Sequence, residues 1–181
     1  MLLFLKYLIQ LILSPAAGWK DIVKSDPDPA VLTRRGLYPL IGVAAATELL
    51  ALFFFRHVSV AQVLMRAVAD FGAYFVSLYI ARLIFELYLG RLTENTPDPR
   101  RTSTITIMGI GLMVLLQIIT NCLPWSLVIL KLLPVYVVLV LYKASAYMGV
   151  RRNSELSFIG LSALAIVAVP LVIYYLLYLL I

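Results

Sequence analysis

Long apolar stretches separated by short charged connections dominate this sequence. Crossing a hydrocarbon core of about 30 Å takes about 20 helical residues. The composition agrees with repeated crossing, because 63% hydrophobic and 13% charged residues lie outside the range of water-soluble domains. The sequence therefore predicts an all-α polytopic membrane protein, with N-terminal helices over residues 1–35 and a transmembrane domain over residues 36–181. That domain is a five-helix bundle with spans at residues 36–55, 59–89, 105–123, 125–147 and 156–181.

The basic residues predict the orientation of this bundle. Lys and Arg concentrate in the short loops on the cytoplasmic side of membrane proteins. Eleven of the 15 Lys and Arg residues precede the first span, lie in the second or fourth connection, or, as Lys143, lie just before the fourth, whereas the third connection has no charge. We therefore expect the N-terminus in the cytoplasm and the C-terminus outside.

The same basic residues give the chain a pI near 9.5. Each Lys or Arg close to anionic headgroups gains about 1 kcal/mol, so we expect the lipid bilayer as partner and no nucleic acid. Cys122 and His57 are each the single residue of their type, which excludes an internal disulfide and disfavours a metal site. No phosphate loop, nucleophile elbow or zinc-protease motif occurs. We expect a protein that is not an enzyme, with no catalytic residues, no cofactor and no metal.

Residues 1–13 are apolar on almost every side. As a helix they would be about 20 Å long, which is too short to cross the membrane. We expect this helix to lie in the cytoplasmic interface. A signal peptide is the competing interpretation, since residues 16–18 are small, but Lys6 interrupts the apolar run and no basic residue precedes it.

A second amphipathic helix is expected to begin at Ser14-Pro15, with serine as N-cap and proline at the first helical position. Trp19 and Ile22 lie on its apolar face and Lys20 points to water, so these three residues form a candidate interfacial anchor. The two Asp-Pro pairs at residues 26–29 end this helix.

Five polar residues lie inside the predicted spans at a similar depth. Helical rise places them about 9–16 Å from the outer boundary. Charged residues at such a depth are costly and usually face the bundle interior or a watery cavity. Two acids and two bases are present, so the group can be neutral overall. This candidate intramembrane polar cluster consists of Glu48, Arg66, Asp70, Gln117 and Lys131.

Three interpretations of the polar cluster are open. It can fix helix packing through interhelical ion pairs and hydrogen bonds, which requires Glu48 or Asp70 within ion-pair or one-water distance of Arg66 or Lys131. It can line a cavity for an ion, a proton or a small solute. In the third interpretation Arg66 extends to the outer interface.

Two further features lie near the ends of the spans. Arg82 and Glu86 are one helical turn apart near the cytoplasmic end of the second span, where we expect a pair at the boundary. Tyr174, Tyr175 and Tyr178 lie near the outer end of the last span and are typical of an aromatic belt.

Residues 14–22 read Ser-Pro-Ala-Ala-Gly-Trp-Lys-Asp-Ile. This segment resembles the Ser-Pro-x-x-x-Trp-x-x-Ile start of bacterial members of the Yip family, the Ypt/Rab-interacting five-pass membrane proteins. Leu123-Pro124 at the end of the third span and the tyrosine-containing fourth span that runs into Gly149 are also similar. The resemblance implies a bacterial inner membrane protein with a non-enzymatic, membrane-organising or trafficking role and a protein partner at its cytoplasmic face.

The alternative to such an adaptor is a transporter or channel component for an ion or small solute. The two hypotheses differ in whether a hydrated cavity reaches Glu48, Asp70 and Lys131. A homo-oligomer is compatible with either hypothesis.

Overall fold

A computed structural model describes residues 1–55, 58–94, 96–123 and 132–180. Over these residues the chain is helical and contains no strand, which confirms the all-α prediction. The helices are α1 (Leu2–Leu13), α2 (Pro15–Ser25), α3 (Pro29–Phe54), α4 (Val60–Leu92), α5 (Pro99–Cys122), α6 (Leu133–Tyr147) and α7 (Arg152–Leu180).

Four of the described helices are long and apolar enough to cross a membrane. They are α3, α4, α5 and α7, with 26, 33, 24 and 29 residues. Helix α6 is apolar but shorter. The predicted fourth span, residues 125–147, falls partly on residues 124–131, which lie outside the described residues.

Helices α3 and α5 begin in the same way, at an Asp-Pro pair. The Asp28 carboxylate accepts a hydrogen bond from the Ala30 N–H at 3.0 Å, and Asp98 accepts one from the Arg100 N–H at 2.9 Å. The proline of each pair occupies the first helical position, where its missing N–H has no cost. These caps explain why both helices begin six or seven residues before the predicted apolar spans.

The N-terminal helices pack onto the bundle and contribute to its core. Phe4, Leu8 and Leu11 of α1 are buried. The Phe4 ring lies so close to Gly36 of α3 that a Cβ atom on this glycine would come within 2.5 Å of Phe4 Cγ. It also lies against Gly111 of α5, where the corresponding distance to Phe4 Cζ is 2.7 Å. Helix α1 can therefore pack at this position because Gly36 and Gly111 have no side chains that would clash with Phe4.

Helix α2 is held on α6 by the candidate anchor. Trp19 is 1% exposed and its indole N–H donates to the Val140 carbonyl at 2.8 Å, while Ile22 is also buried. Lys20 is exposed, as its place on the polar face predicts. Tyr136 of α6 donates to the Ile12 carbonyl at 2.6 Å, next to the start of α2. The position of α1 and α2 at a membrane interface stays a prediction.

Two connections meet at one end of the bundle. Thr93, after α4, forms an isolated antiparallel bridge with Val150, before α7. The Glu94 N–H donates to the Gly149 carbonyl at 3.0 Å, and the Arg151 N–H donates to the Leu92 carbonyl at 2.9 Å. The α4–α5 and α6–α7 connections therefore lie together, and we call this the bridge end of the bundle.

Candidate functional site

The side-chain amide of Gln117 joins three helices at the centre of the predicted polar cluster. Its Nε2 donates to Glu48 Oε1 of α3 at 3.3 Å and to Asp70 Oδ2 of α4 at 3.4 Å. It also donates to Asn121 Oδ1 on its own helix, α5, at 3.1 Å. An amide nitrogen has two hydrogens for these three acceptors, so at least one hydrogen is shared. Three of the predicted residues are thus in direct contact.

The hydrogen-bonded network extends beyond the residues that sequence reasoning selected. Asn121 Nδ2 donates to Thr47 Oγ1 at 3.1 Å, and the Thr47 hydroxyl donates to the Ala44 carbonyl at 2.6 Å. Sequence reasoning missed Thr47 and Asn121. The available signal was spacing, since Asn121 lies four residues after Gln117 and therefore on the same face of α5.

The two acids of the cluster share one donor, the side-chain amide of Gln117. Asp70 is 4% exposed, and Glu48 is partly buried. Two carboxylates that approach the same group repel each other. The network therefore brings two acids from different helices together at one amide.

The predictions for the two basic residues of the cluster, Arg66 and Lys131, are tested to different extents. Arg66 is half-buried, and among the described residues it forms no salt bridge with either acid. The direct ion pair to Arg66 is therefore absent from the described residues, and the predicted one-water contact stays a prediction. Lys131 lies outside the described residues, and so does the part of the prediction that concerns it.

A cavity of about 480 Å³ reaches Glu48 from the end of the bundle opposite the bridge end. This is the predicted outer end of the spans, and we call the cavity the outer cavity. Arg66 and Leu123 also border it, so its wall carries an acid, a base and apolar surface. A second cavity of about 190 Å³ borders Asp70 and Gln117. Tyr174 and Tyr175 of α7 border both cavities, and the ring centroids of Tyr174 and Tyr178 are 6.0 Å apart. The tyrosines predicted as an aromatic belt thus form part of the cavity walls.

The outer cavity also has several neutral polar groups. Thr47, Thr120 and Asn121 line it with hydroxyl and amide groups. Thr120 bonds the Leu116 carbonyl of its own helix at 2.8 Å, which leaves its side chain at the wall without a role in holding other helices together. Such a wall can hold water or a small polar molecule against Glu48.

The described residues contain no group of three or more His, Cys, Asp and Glu side chains that could hold a metal ion. Their side-chain salt bridges are Arg82–Glu86, at 2.7 Å, and Arg101–Asp98, at 3.8 Å. The expected Arg82–Glu86 pair is therefore formed, and both side chains are about half exposed. An exposed pair of this kind contributes little stability.

The fold and these helices define a membrane-embedded, all-helical protein with an intramembrane polar network. No family model, curated protein or solved structure matches the chain significantly. The resemblance to the Yip family therefore stays a prediction.

Proposed function

We propose that the protein is a transporter or channel component that passes a proton, an ion or a small polar solute through the polar network. The observation that carries this proposal is the position of Glu48, which shares the Gln117 amide with the buried Asp70 and also borders a cavity of about 480 Å³. Ionisable residues inside a membrane commonly mark ion pathways and proton relays. A purely packing role for the cluster would not need open volume beside one of its acids.

We further propose that the chain crosses the membrane five times, with the N-terminus in the cytoplasm of a bacterial inner membrane. The bridge between Thr93 and Val150 supports this proposal, because α5 leaves the bridge end at Pro99 and ends at Cys122 on the opposite side. Helix α6 then ends at Tyr147, two residues before the bridge end at Gly149. The basic loops of the bridge end support its assignment to the cytoplasm.

Cysteine labelling tests the topology. In a Cys122→Ser background, Asn153→Cys should react with an impermeant maleimide only from the cytoplasmic side, because the residue is exposed at the bridge end. Ser59→Cys and a cysteine added after residue 181 should react only from the other side. Labelling of Asn153→Cys and of the added C-terminal cysteine from one side would contradict an odd number of spans.

Cysteine accessibility also tests whether the outer cavity is hydrated. In the same background, Thr120→Cys should react with an impermeant methanethiosulfonate from outside, because a thiol at the cavity wall can ionise in water. Ile119→Cys is the matched control, since it is the neighbouring residue of α5 and an exposed apolar side chain outside the cavity wall. We expect the cysteine of Ile119→Cys to face lipid, where its thiol should not react with the reagent. Equal reactivity at the two positions would contradict a hydrated cavity.

Flux measurements test transport itself. In proteoliposomes carrying a pH-sensitive dye, Glu48→Gln should abolish a proton or alkali-cation flux that the unchanged protein shows, because the acid that borders the cavity is lost. Glu86→Gln is the control, since it removes an acid from an exposed pair outside the network and should retain the flux. Equal flux in both variants, or none in the unchanged protein, would contradict transport of a proton or cation.

A membrane-organising adaptor is the second candidate function. The observation that favours it is the fixed position of α2, whose buried Trp19 and Ile22 hold the exposed Lys20 and Lys24 at one surface of the bundle. Such a surface can present basic groups to an acidic partner. An unreactive Thr120→Cys together with no flux would favour this function over transport.

A further inference from the structure

A cavity of about 410 Å³ lies at the bridge end, between α3, α4 and α5. Its volume falls within the range of about 300–1,000 Å³ that is typical of ligand pockets. Three arginines border it, one from each of these helices: Arg34, Arg82 and Arg100. Three basic side chains that converge from separate helices favour an anionic ligand.

The acidic groups near this cavity do not neutralise the three arginines. Asp28 borders the cavity, but its carboxylate accepts the hydrogen bond that caps α3. Glu86 bonds Arg82 only through Nε, at 2.7 Å, which leaves the terminal nitrogens of that guanidinium available. Among the described residues, Arg34 and Arg100 have no salt-bridge partner. The cavity therefore keeps an excess of positive charge.

A hydroxyl at the cavity wall can also bond a ligand. Ser103 borders the cavity, and its hydroxyl forms no hydrogen bond with the described part of the chain. Thr106, one turn further along α5 and at the same wall, bonds the Thr102 carbonyl at 2.9 Å. Within the described residues, Ser162 Oγ is the buried side-chain oxygen without a partner, so the Ser103 hydroxyl is open to the cavity. It can bond a ligand oxygen beside Arg100.

Part of the cavity wall is apolar. Leu78 of α4 and Ile107 of α5 border the cavity together with the arginines. From there α4 presents exposed apolar side chains, including Val76, Ile80 and Leu83. A soluble anion would leave this apolar surface uncovered, whereas an acyl chain would cover it.

We propose that this cavity binds the phosphate headgroup of an anionic phospholipid from the cytoplasmic leaflet. The phosphate lies between Arg34 and Arg100, the Ser103 hydroxyl donates to a phosphate or ester oxygen, and an acyl chain runs along the apolar face of α4. The site is separate from the outer polar network and does not depend on the transport proposal.

Native mass spectrometry of the delipidated protein with added phosphatidylglycerol tests this site. Each arginine near the headgroup contributes about fivefold in affinity, so Arg34→Gln with Arg100→Gln should weaken binding by about 25-fold. The matched control is Arg91→Gln with Arg152→Gln, which removes the same charge from the bridge end outside the cavity and should change binding by less than about twofold. Ser103→Ala should weaken binding about threefold, as for one lost hydrogen bond.

Three outcomes would overturn the proposal. Equal losses in the two double variants would show general attraction to a basic surface. Displacement of the lipid by glycerol phosphate at equal concentration would show that the ligand is a soluble phosphate. Equal affinity for phosphatidylcholine would show that the arginines do not select an anionic headgroup. The three arginines are exposed, so the arginine variants remain a valid test even if Ser103→Ala fails to fold.

Discussion

Replacing Gly36 with alanine should detach α1 from the bundle and destabilise the folded protein by about 1–3 kcal/mol, the usual cost of an overpacked core. The added Cβ would lie 2.5 Å from Phe4 Cγ and 2.7 Å from Phe4 Cβ, so the clash involves the base of the ring and not its flexible end. Phe4 has no room to move away, because its far edge already lies against Gly111. Thermal unfolding in detergent measures the loss of stability, and limited proteolysis detects the release of α1.

The matched control for this prediction is Gly42→Ala, on the same helix. A Cβ at Gly42 meets nothing within 4 Å, so the change should be neutral or stabilising by up to about 1 kcal/mol through helix propensity. Truncation of Phe4 to alanine should make Gly36→Ala less damaging, since it removes the atoms that clash. If Gly36→Ala and Gly42→Ala have equal effects, α1 does not dock at this position.

The sequence predicts the elements of this protein much better than their contacts. Apolar length predicts the spanning helices, because it acts within a single helix, whereas the starts of α3 and α5 at Pro29 and Pro99 lie before the predicted spans. The docking of Phe4 between two glycines has no local signal, since Gly36 and Gly111 lie on different helices. The Trp19 side chain was expected at the headgroup level, and its donation to the Val140 carbonyl depends on which face of α6 meets α2.

For the polar cluster, too, the sequence predicts position along each helix but not the contacts between helices. Helical rise gives the depth of each residue, so Glu48, Asp70 and Gln117 were correctly expected in one layer. Depth says nothing about rotation around each helix axis, and rotation decides which side chains meet. Arg66, one turn from Asp70 on the same face of α4, borders the cavity and forms no salt bridge with either acid.

The largest coupling in the molecule is expected between Gln117 and Asp70. Gln117→Met keeps the length of the side chain and removes the donor that joins Glu48, Asp70 and Asn121. Each buried acceptor left without a partner costs about 1–3 kcal/mol, so this single change should destabilise the protein strongly. Asp70→Ala alone should also destabilise it, because Asp70 is 4% exposed and its removal leaves a small cavity.

A double-mutant cycle separates this contact from two independent losses. The double variant Gln117→Met, Asp70→Ala no longer contains the Asp70 carboxylate that Gln117→Met leaves without a donor. Its loss of unfolding free energy should therefore be smaller than the sum of the two single losses by about 0.5–3 kcal/mol. Gln117→Met with Glu86→Ala is the control pair, since Glu86 bonds Arg82 and none of the residues of the network. That pair should be additive within about 0.5 kcal/mol. Unfolding free energies in detergent measure both cycles. Additivity in both would mean that Gln117 and Asp70 do not interact, and the network could then not hold Asp70 beside Glu48 at the cavity.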